Sequence, residues 1–381
     1  MKTVLALHAN RKFGTSLALA NYLQKNYKDF ILVKNPLDVS VRNETETNIY
    51  ANNKLVKKSS SWRLPFSSPL NLFRDILATV SAVKKNLNNS ENDSVLFVGS
   101  NPINTLAGIL LKKLNIVNLV IYYSVDYSPK RLKNPFLNRV YHFIDTFCVK
   151  HADAIWNVTK RMRDVREKQG REKLNLVTPN GVFLDHIHFN KEKPQRPPIR
   201  FVYAGTLDKG KGLEFLIDAL DKFHDYDFVC DIIGGGDAED DLKRRAERLI
   251  DGEKVRFLGR MNNDEILDAL PNYHIGMALY TNEKSHSWFG DPVKAKEYLA
   301  SRLFIIITAI PEFSSYVDRN GFGIEIKNNE NDLESVLQKI FNGNITINYS
   351  LSKEDVEKIN WNHIYRNALK ETLVNFPAQI L

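Results

Sequence analysis

Residues 200–224 read Arg200-Phe201-Val202-Tyr203-Ala204-Gly205-Thr206-Leu207-Asp208-Lys209-Gly210-Lys211-Gly212-Leu213-Glu214-Phe215-Leu216-Ile217-Asp218-Ala219-Leu220-Asp221-Lys222-Phe223-His224. The run Arg200–Tyr203 has the aromatic and β-branched content of a buried strand. Leu213–His224 repeats apolar residues at helical spacing. Between them, Gly205, Gly210 and Gly212 let the backbone approach a ligand closely. Lys209 and Lys211 add positive charge, and the helix N-terminus that follows favours anions. The turn suits a phosphate or diphosphate, although taken alone such a sequence is more often just a turn. It is neither a Walker loop nor a G-x-G-x-x-G fingerprint.

Working outward, the same strand–turn–helix unit recurs in both directions. Downstream, Phe228–Ile233 reads as a strand ending in Gly234-Gly235-Gly236, followed by a charged helix at Glu239–Ile250. Val255–Leu258, Ile275–Leu279 and Phe304–Thr308 are strands, with helices at Asp264–Leu270 and Val293–Ser301. Upstream, Val4–Leu7, Val95–Val98, Leu119–Tyr123 and Ala154–Val158 are strands. They alternate with helices at Ser16–Tyr27, Thr105–Leu114, Pro135–Lys150 and Lys160–Gln169. Such alternation predicts α/β architecture with parallel sheets covered on both faces. The polar, proline-rich run in 186–199, KEKPQRPP, makes a poor core segment and reads as a connector. The expected organisation is a domain over 1–185, a linker over 186–199 and a second domain over 200–361. A closing helix in 362–381 returns to the first domain. Residues 43–68 fit least well and read as an excursion from the first domain.

A chain of 381 residues is too long for one ordinary core and suits two such domains. No stretch has the uninterrupted apolar length of a spanning helix. The two cysteines, Cys148 and Cys230, suggest neither a disulfide framework nor a metal site, and a reducing cytoplasm is the expected location. Net charge is +8, unevenly spread: residues 1–190 carry 28 Lys and Arg against 14 Asp and Glu, and the remainder is net acidic. The basic half is either a solvated surface or one that meets an anionic partner such as lipid headgroups. Nucleic acid is not expected, because no zinc-finger spacing, RNP-like strand or base-reading basic helix is present. Lys54-Leu55-Val56-Lys57-Lys58, Trp62-Arg63-Leu64-Pro65-Phe66 and Phe73-Arg74 interleave cations with apolar side chains, which fits a membrane-interface segment and a mobile basic loop about equally.

A second segment, Trp288-Phe289-Gly290-Asp291-Pro292-Val293-Lys294-Ala295-Lys296-Glu297-Tyr298, carries the other chemistry. Asp291 reads as an N-cap and Pro292 as the first helical residue. Lys294 and Glu297 share a helix face. First-turn amides and Lys294 are suited to hold phosphate, and Glu297 to accept both hydroxyls of a ribose. Spacing alone fits an exposed i,i+3 ion pair at least as well. In the first half, His8 ends a strand, where a lone histidine is more often structural. Asp126, in YYSVDYSP, is the better candidate there.

These segments, taken in order, resemble the nucleotide-binding domain of retaining GT-B glycosyltransferases of the family-four group. The resemblance runs through YAGTLDKGKGLEFLIDAL, DIIGGGDAEDDLKRRA, VRFLGRMNNDEILDALPNYHIGMALY, DPVKAKEYLASRLFIIIT, PEFSSYV and NGFGIEI. INWNHIYRNAL resembles the family's closing helix. FGTSLALANYL, HADAIWNVTKRM and TPNGVFLD extend the likeness more loosely into the first half. The resemblance implies two Rossmann-like domains facing across a cleft. It implies transfer of a hexose-type sugar, with retention, from a UDP- or GDP-sugar to a glycan, lipid-linked or small-molecule acceptor, with no metal. By residue it implies that Lys211 contacts the donor diphosphate and that Glu297 binds the ribose. Lys294 sits at the same helix start, with Asp291, Pro292 and Val293. Arg260 and Met261, after Gly259, match the loop beside the base. Gly14 matches the loop that closes over the diphosphate, Asn180 and Gly181 the hinge, and Asp126 a contact to sugar or acceptor. The chain departs from the family at Thr206, where arginine is common, at Phe289, where many members carry a second glutamate, and at Arg302-Leu303-Phe304, where Gly-x-Pro is usual. Lys209 is the candidate to replace the missing cation at 206. Alternatives are an inactive scaffold of the same fold or a non-hydrolysing sugar-nucleotide epimerase.

Overall fold

The computed structural model describes residues 1–9, 14–36, 44–61, 70–87, 94–171, 174–187, 192–249, 253–281, 286–347 and 351–376. Trp62–Phe66 lies outside them. The chain divides into two compact units, Met1–Pro179 with Trp361–Leu381, and Asn180–Asn360.

The first unit runs β1 (Lys2–His8), α1 (Thr15–Asn26), β2 (Asp29–Asn35), β3 (Glu46–Ala51), β4 (Lys54–Ser60), α2 (Leu70–Asn86), β5 (Val95–Ser100), α3 (Pro102–Lys113), β6 (Leu119–Ser124), α4 (Pro135–His151), β7 (Ala154–Asn157), α5 (Lys160–Lys168) and β8 (Asn175–Val177). Its eight strands are ordered β4-β3-β2-β1-β5-β6-β7-β8, parallel except where β3 pairs with β2 and β4. Within the expected excursion at 43–68, the stretch 46–60 is therefore an antiparallel hairpin that extends the sheet. Its outer strand β4 is exposed along nearly its whole length. Lys54, Lys57 and Lys58 there act as edge protection against strand pairing.

The second unit runs β9 (Ile199–Ala204), α6 (Leu213–Asp221), β10 (Phe228–Ile233), α7 (Glu239–Leu249), β11 (Val255–Gly259), α8 (Asn263–Ala269), β12 (Ile275–Ala278), α9 (His286–Phe289), α10 (Val293–Ala300), β13 (Phe304–Thr308), α11 (Ser314–Arg319), β14 (Gly323–Ile326), α12 (Glu330–Phe341) and α13 (Lys353–Lys358). Its six strands are ordered β11-β10-β9-β12-β13-β14, each recorded pair parallel. Alternate residues of β9 feed two cores. Phe201 and Tyr203 pack on one face of the sheet, Val202 and Ala204 on the other.

One expectation changes here. The run in 186–199 belongs to the second unit rather than joining the two. Lys193 Nζ donates to the carbonyls of Tyr273 and Ser301, and the Pro194 carbonyl is bonded to the His274 ring, so the polar run is strapped to the sheet. The last helix, α14 (Trp361–Val374), belongs to the first unit. Trp156 Nε1 donates to Thr372 Oγ1 at 3.0 Å, and the Tyr365 hydroxyl donates to the Thr15 carbonyl. No helix among the described residues is long and apolar enough to cross a membrane.

Candidate functional site

Strand order places a crevice before any side chain is considered. In the second sheet β9 lies between β10 and β12, so the connections leaving β9 and β12 diverge. Ligands of open parallel sheets bind at such a switch point, beyond the carboxyl ends of the strands. The two segments singled out above, 205–212 and 288–298, follow these strands.

The glycines shape the first loop by excluding side chains. A Cβ on Gly234 would lie 1.8 Å from the Gly205 carbonyl oxygen, and one on Gly236 would lie 2.6 Å from both the Leu207 carbonyl and Asp208. The Gly234–Gly236 run thus backs directly onto the turn. Gly212 is left-handed (φ 70°) and caps α6. Thr206 and Lys209 are exposed on this turn, and Lys211 is half-buried.

Helix α10 is seated by Tyr298. Its ring lies where a Cβ on Gly276 would reach within 2.4 Å, and its hydroxyl accepts the Ala204 amide at 2.8 Å. One turn earlier on the same face, Lys294 lies over the end of β9. Its Nζ is 3.8 Å from the centroid of the Tyr203 ring and 5.5 Å from that of Tyr280. A Cβ on Gly205 would sit 3.0 Å from it. Lys211 Nζ also lies near this aromatic pair, 5.9 Å from the Tyr280 centroid.

Lys294 and Glu297 are not an exposed ion pair. Glu297 is buried, and Lys294 is half-buried with its Nζ enclosed and without a hydrogen-bond partner. Burial, reinforced by Lys211, holds the Lys294 ammonium well below the usual lysine range, with Glu297 opposing. Burial pushes the Glu297 carboxyl up to about 7, with Lys294 opposing. A carboxyl raised from 4.5 to about 7 binds its proton more tightly in the folded state. That contribution to stability is lost as pH rises from the ordinary carboxyl value through about 7. Glu297→Gln is therefore expected to match the wild type near pH 4 and to exceed it by up to about 3 kcal/mol at pH 8. Denaturation midpoints across that pH range check it.

Asp291 is not the N-cap of α10. Pro292 takes that place and Val293 is the first helical residue. The Asp291 carboxylate is instead buried, paired with Lys296 and accepting the Asn180 amide at 2.6 Å. Lys296 also donates to the Asn180 carbonyl. The carboxylate is occupied by a cation one turn into the helix, which leaves it unavailable to the first-turn amides. Pro292 carries no amide hydrogen, so Val293, Lys294 and Ala295 supply the free N–H groups at this terminus.

Arg260 is exposed, with its guanidinium beside Gly235, where a Cβ would meet Nε at 2.6 Å. Met261 packs partly buried against the second core. The structure thus brings Lys211, Lys294, Glu297 and Thr206 to one crevice in the second unit, with Arg260 beside the glycine run that backs it. Tyr203 and Tyr280, which bracket the lysine, had no signal in the sequence beyond their place at strand ends.

Three sites fall in the first unit. Gly14 begins the described part of its loop and is the N-cap of α1 (φ 150°). Asp126 follows β6, with its carboxylate held by Arg131 Nη1 at 2.6 Å. His8 ends β1, and its Nδ1 faces the amides of Asn101 and Asn104 at 2.8 and 2.9 Å. Nδ1 is thus the acceptor, and Nε2–H donates to Asp75 at 3.0 Å. Both ring nitrogens are engaged, as a structural histidine requires.

Residues 185–350 match the family model described as glycosyl transferases group 1. Among solved structures, Anabaena Alr3699/HepE in complex with UDP is 12% identical, with a TM-score of 0.72, over 99% of this chain and 100% of that one. HepE has also been solved with UDP-glucose. A glycosyltransferase from Rickettsia africae is 16% identical at a TM-score of 0.71 (98% and 99% covered). The lipopolysaccharide outer core galactosyltransferase WaaB is 15% identical at 0.70 (98% and 100% covered). No curated protein matches the sequence. The stretch 185–350 of the second unit is thus similar to the glycosyl transferases group 1 family, and the chain as a whole has the GT-B fold.

Proposed function

We propose that this protein transfers a hexose-type sugar from a nucleoside-diphosphate donor, UDP- or GDP-linked, to a glycan, lipid-linked or small-molecule acceptor, with retention at the anomeric carbon. One observation carries the reading. Lys294, whose enclosed ammonium has no hydrogen-bonding partner, stands at the switch point beside a glycine turn, a second lysine and the first turn of α10. Such a group is costly in the empty protein and favourable once an anion arrives.

Cleavage of the sugar–phosphate bond leaves negative charge on the departing diphosphate. In this reading Lys294, Lys211 and the amides of Val293–Ala295 meet that charge and stabilise it electrostatically. Lys209 adds charge at the rim in the position where Thr206 lacks it. Glu297 is suited to accept the ribose hydroxyls in its ionised form, and Arg260 and Met261 flank the base. The HepE complexes with UDP and UDP-glucose favour uracil as that base. Asp126 is the acceptor-side carboxylate in this reading, and the protein works in the cytoplasm without a bound metal.

Calorimetric titration of UDP and GDP tests the reading. One nucleotide is expected to bind, and Lys211→Ala and Glu297→Ala each to weaken it about 10-fold or more, ~1.4 kcal/mol apiece. If neither nucleotide binds the wild-type protein, the donor site is wrong and the fold serves as a scaffold.

A further inference from the structure

Helices α2, α3 and α4 lie side by side on one face of the first sheet. Ile76, Ile103 and Ile144 meet between them, and Lys113 Nζ lies 5.8 Å from the Phe147 ring. Helices α1 and α14 pack together on the other face, where Tyr22, Tyr123 and Trp156 gather around Tyr365. An outer helix layer normally turns polar side chains to solvent. This one exposes Phe73 (65%), Leu77 (68%), Leu110 (38%), Phe136 (72%) and Phe143 (72%). Phe73 and Leu77 are one helical turn apart, and Phe136 and Phe143 two turns apart, so each pair forms a ridge.

The charges around these ridges are of one sign. Lys84, Lys85, Lys113, Arg139 and Lys150 are exposed on the three helices. The carboxylates of the same helices, Asp75 and Asp145, are buried and held by Arg74 and Arg166. The layer therefore presents large apolar side chains among cations with no exposed acid of its own. A polar protein partner offers nothing for the phenylalanines, and a neutral apolar surface offers nothing for the lysines. An anionic bilayer surface satisfies both, taking the rings at the headgroup–acyl boundary and the cations among the phosphates.

We propose that the α2–α3–α4 face of the first unit docks on anionic lipid membranes. This contact differs from the β4 hairpin, where Lys57 and Lys58 edge a sheet. It stands independently of the donor reading.

Co-sedimentation with phosphatidylcholine vesicles, with and without phosphatidylglycerol, tests it at low and moderate salt. Wild-type protein is expected to bind only the anionic vesicles and to be released by salt. Phe136→Ser/Phe143→Ser and Lys84→Glu/Lys85→Glu are each expected to weaken binding about 10-fold or more, with unchanged melting temperature, because all four side chains are exposed. Lys57→Glu/Lys58→Glu is expected to bind like the wild type. The proposal is overturned if wild-type protein ignores anionic vesicles. It is also overturned if only the hairpin variant loses binding, or if sedimentation velocity shows a dimer that the phenylalanine variant dissociates while vesicles are not bound.

Discussion

Lys294→Met is expected to stabilise the ligand-free second unit while weakening nucleotide-diphosphate binding. Methionine keeps the unbranched length and apolar contacts of the lysine stem. It removes an ammonium that is buried without a hydrogen-bond partner. An unsatisfied buried polar group costs ~1–3 kcal/mol, and that much stability is expected to return. Contact with the Tyr203 ring at 3.8 Å offsets part of the cost in the wild type, so the gain belongs at the lower end. The affinity change runs the other way. A buried charge-assisted contact to phosphate is worth ~1.5–3 kcal/mol, roughly 10- to 100-fold in dissociation constant. Thermal melts with and without nucleotide read both effects in one experiment. A variant less stable than the wild type in the absence of ligand would show that the lysine is structural.

Lys296→Ala, two residues further along the same helix, is expected to give the opposite stability result. Its ammonium is as deeply buried but fully engaged by Asp291 and the Asn180 carbonyl. Removal leaves the Asp291 carboxylate uncompensated in the interior. Breaking one side of a buried pair costs ~3–5 kcal/mol. The loss is expected as a lowered denaturation midpoint for the second unit, and Lys296→Ala/Asp291→Asn is expected to recover part of it. Two lysines separated by one alanine therefore divide the labour, one holding Asn180 to α10 and the other held ready for a ligand.

Much of this architecture was legible from periodicity. The apolar runs at Val4, Val95, Phe201, Phe228 and Phe304 became central strands, because strands buried on both faces leave continuous apolar sequence. The β3–β4 hairpin did not show itself. Its residues are polar on both faces, so neither period stands out in Glu46–Ser60. In the site, spacing placed Lys294 and Glu297 on one face but could not say that the face is buried. Burial depends on Tyr298 fitting over Gly276 and on Gly205 leaving room for the ammonium. Asp291 was misread for a related reason. An aspartate before a proline satisfies the local rule for an N-cap, whereas its actual partners are Lys296, on the next turn, and Asn180, 111 residues away in sequence. Local rules do not see partners at that separation.

The placement of α14 sets an order of events during synthesis. Every residue of the second unit emerges from the ribosome before Trp361, the first residue of the helix that fills the first unit. Until then the indole of Trp156 has no Thr372 to donate to, and Tyr123 and Tyr22 face an open groove instead of Tyr365. Domains usually mature in the order in which they are translated. Here the unit that begins first finishes last, and a nascent chain stalled before residue 361 would hold a mature second unit beside a first unit still exposing its aromatic interior.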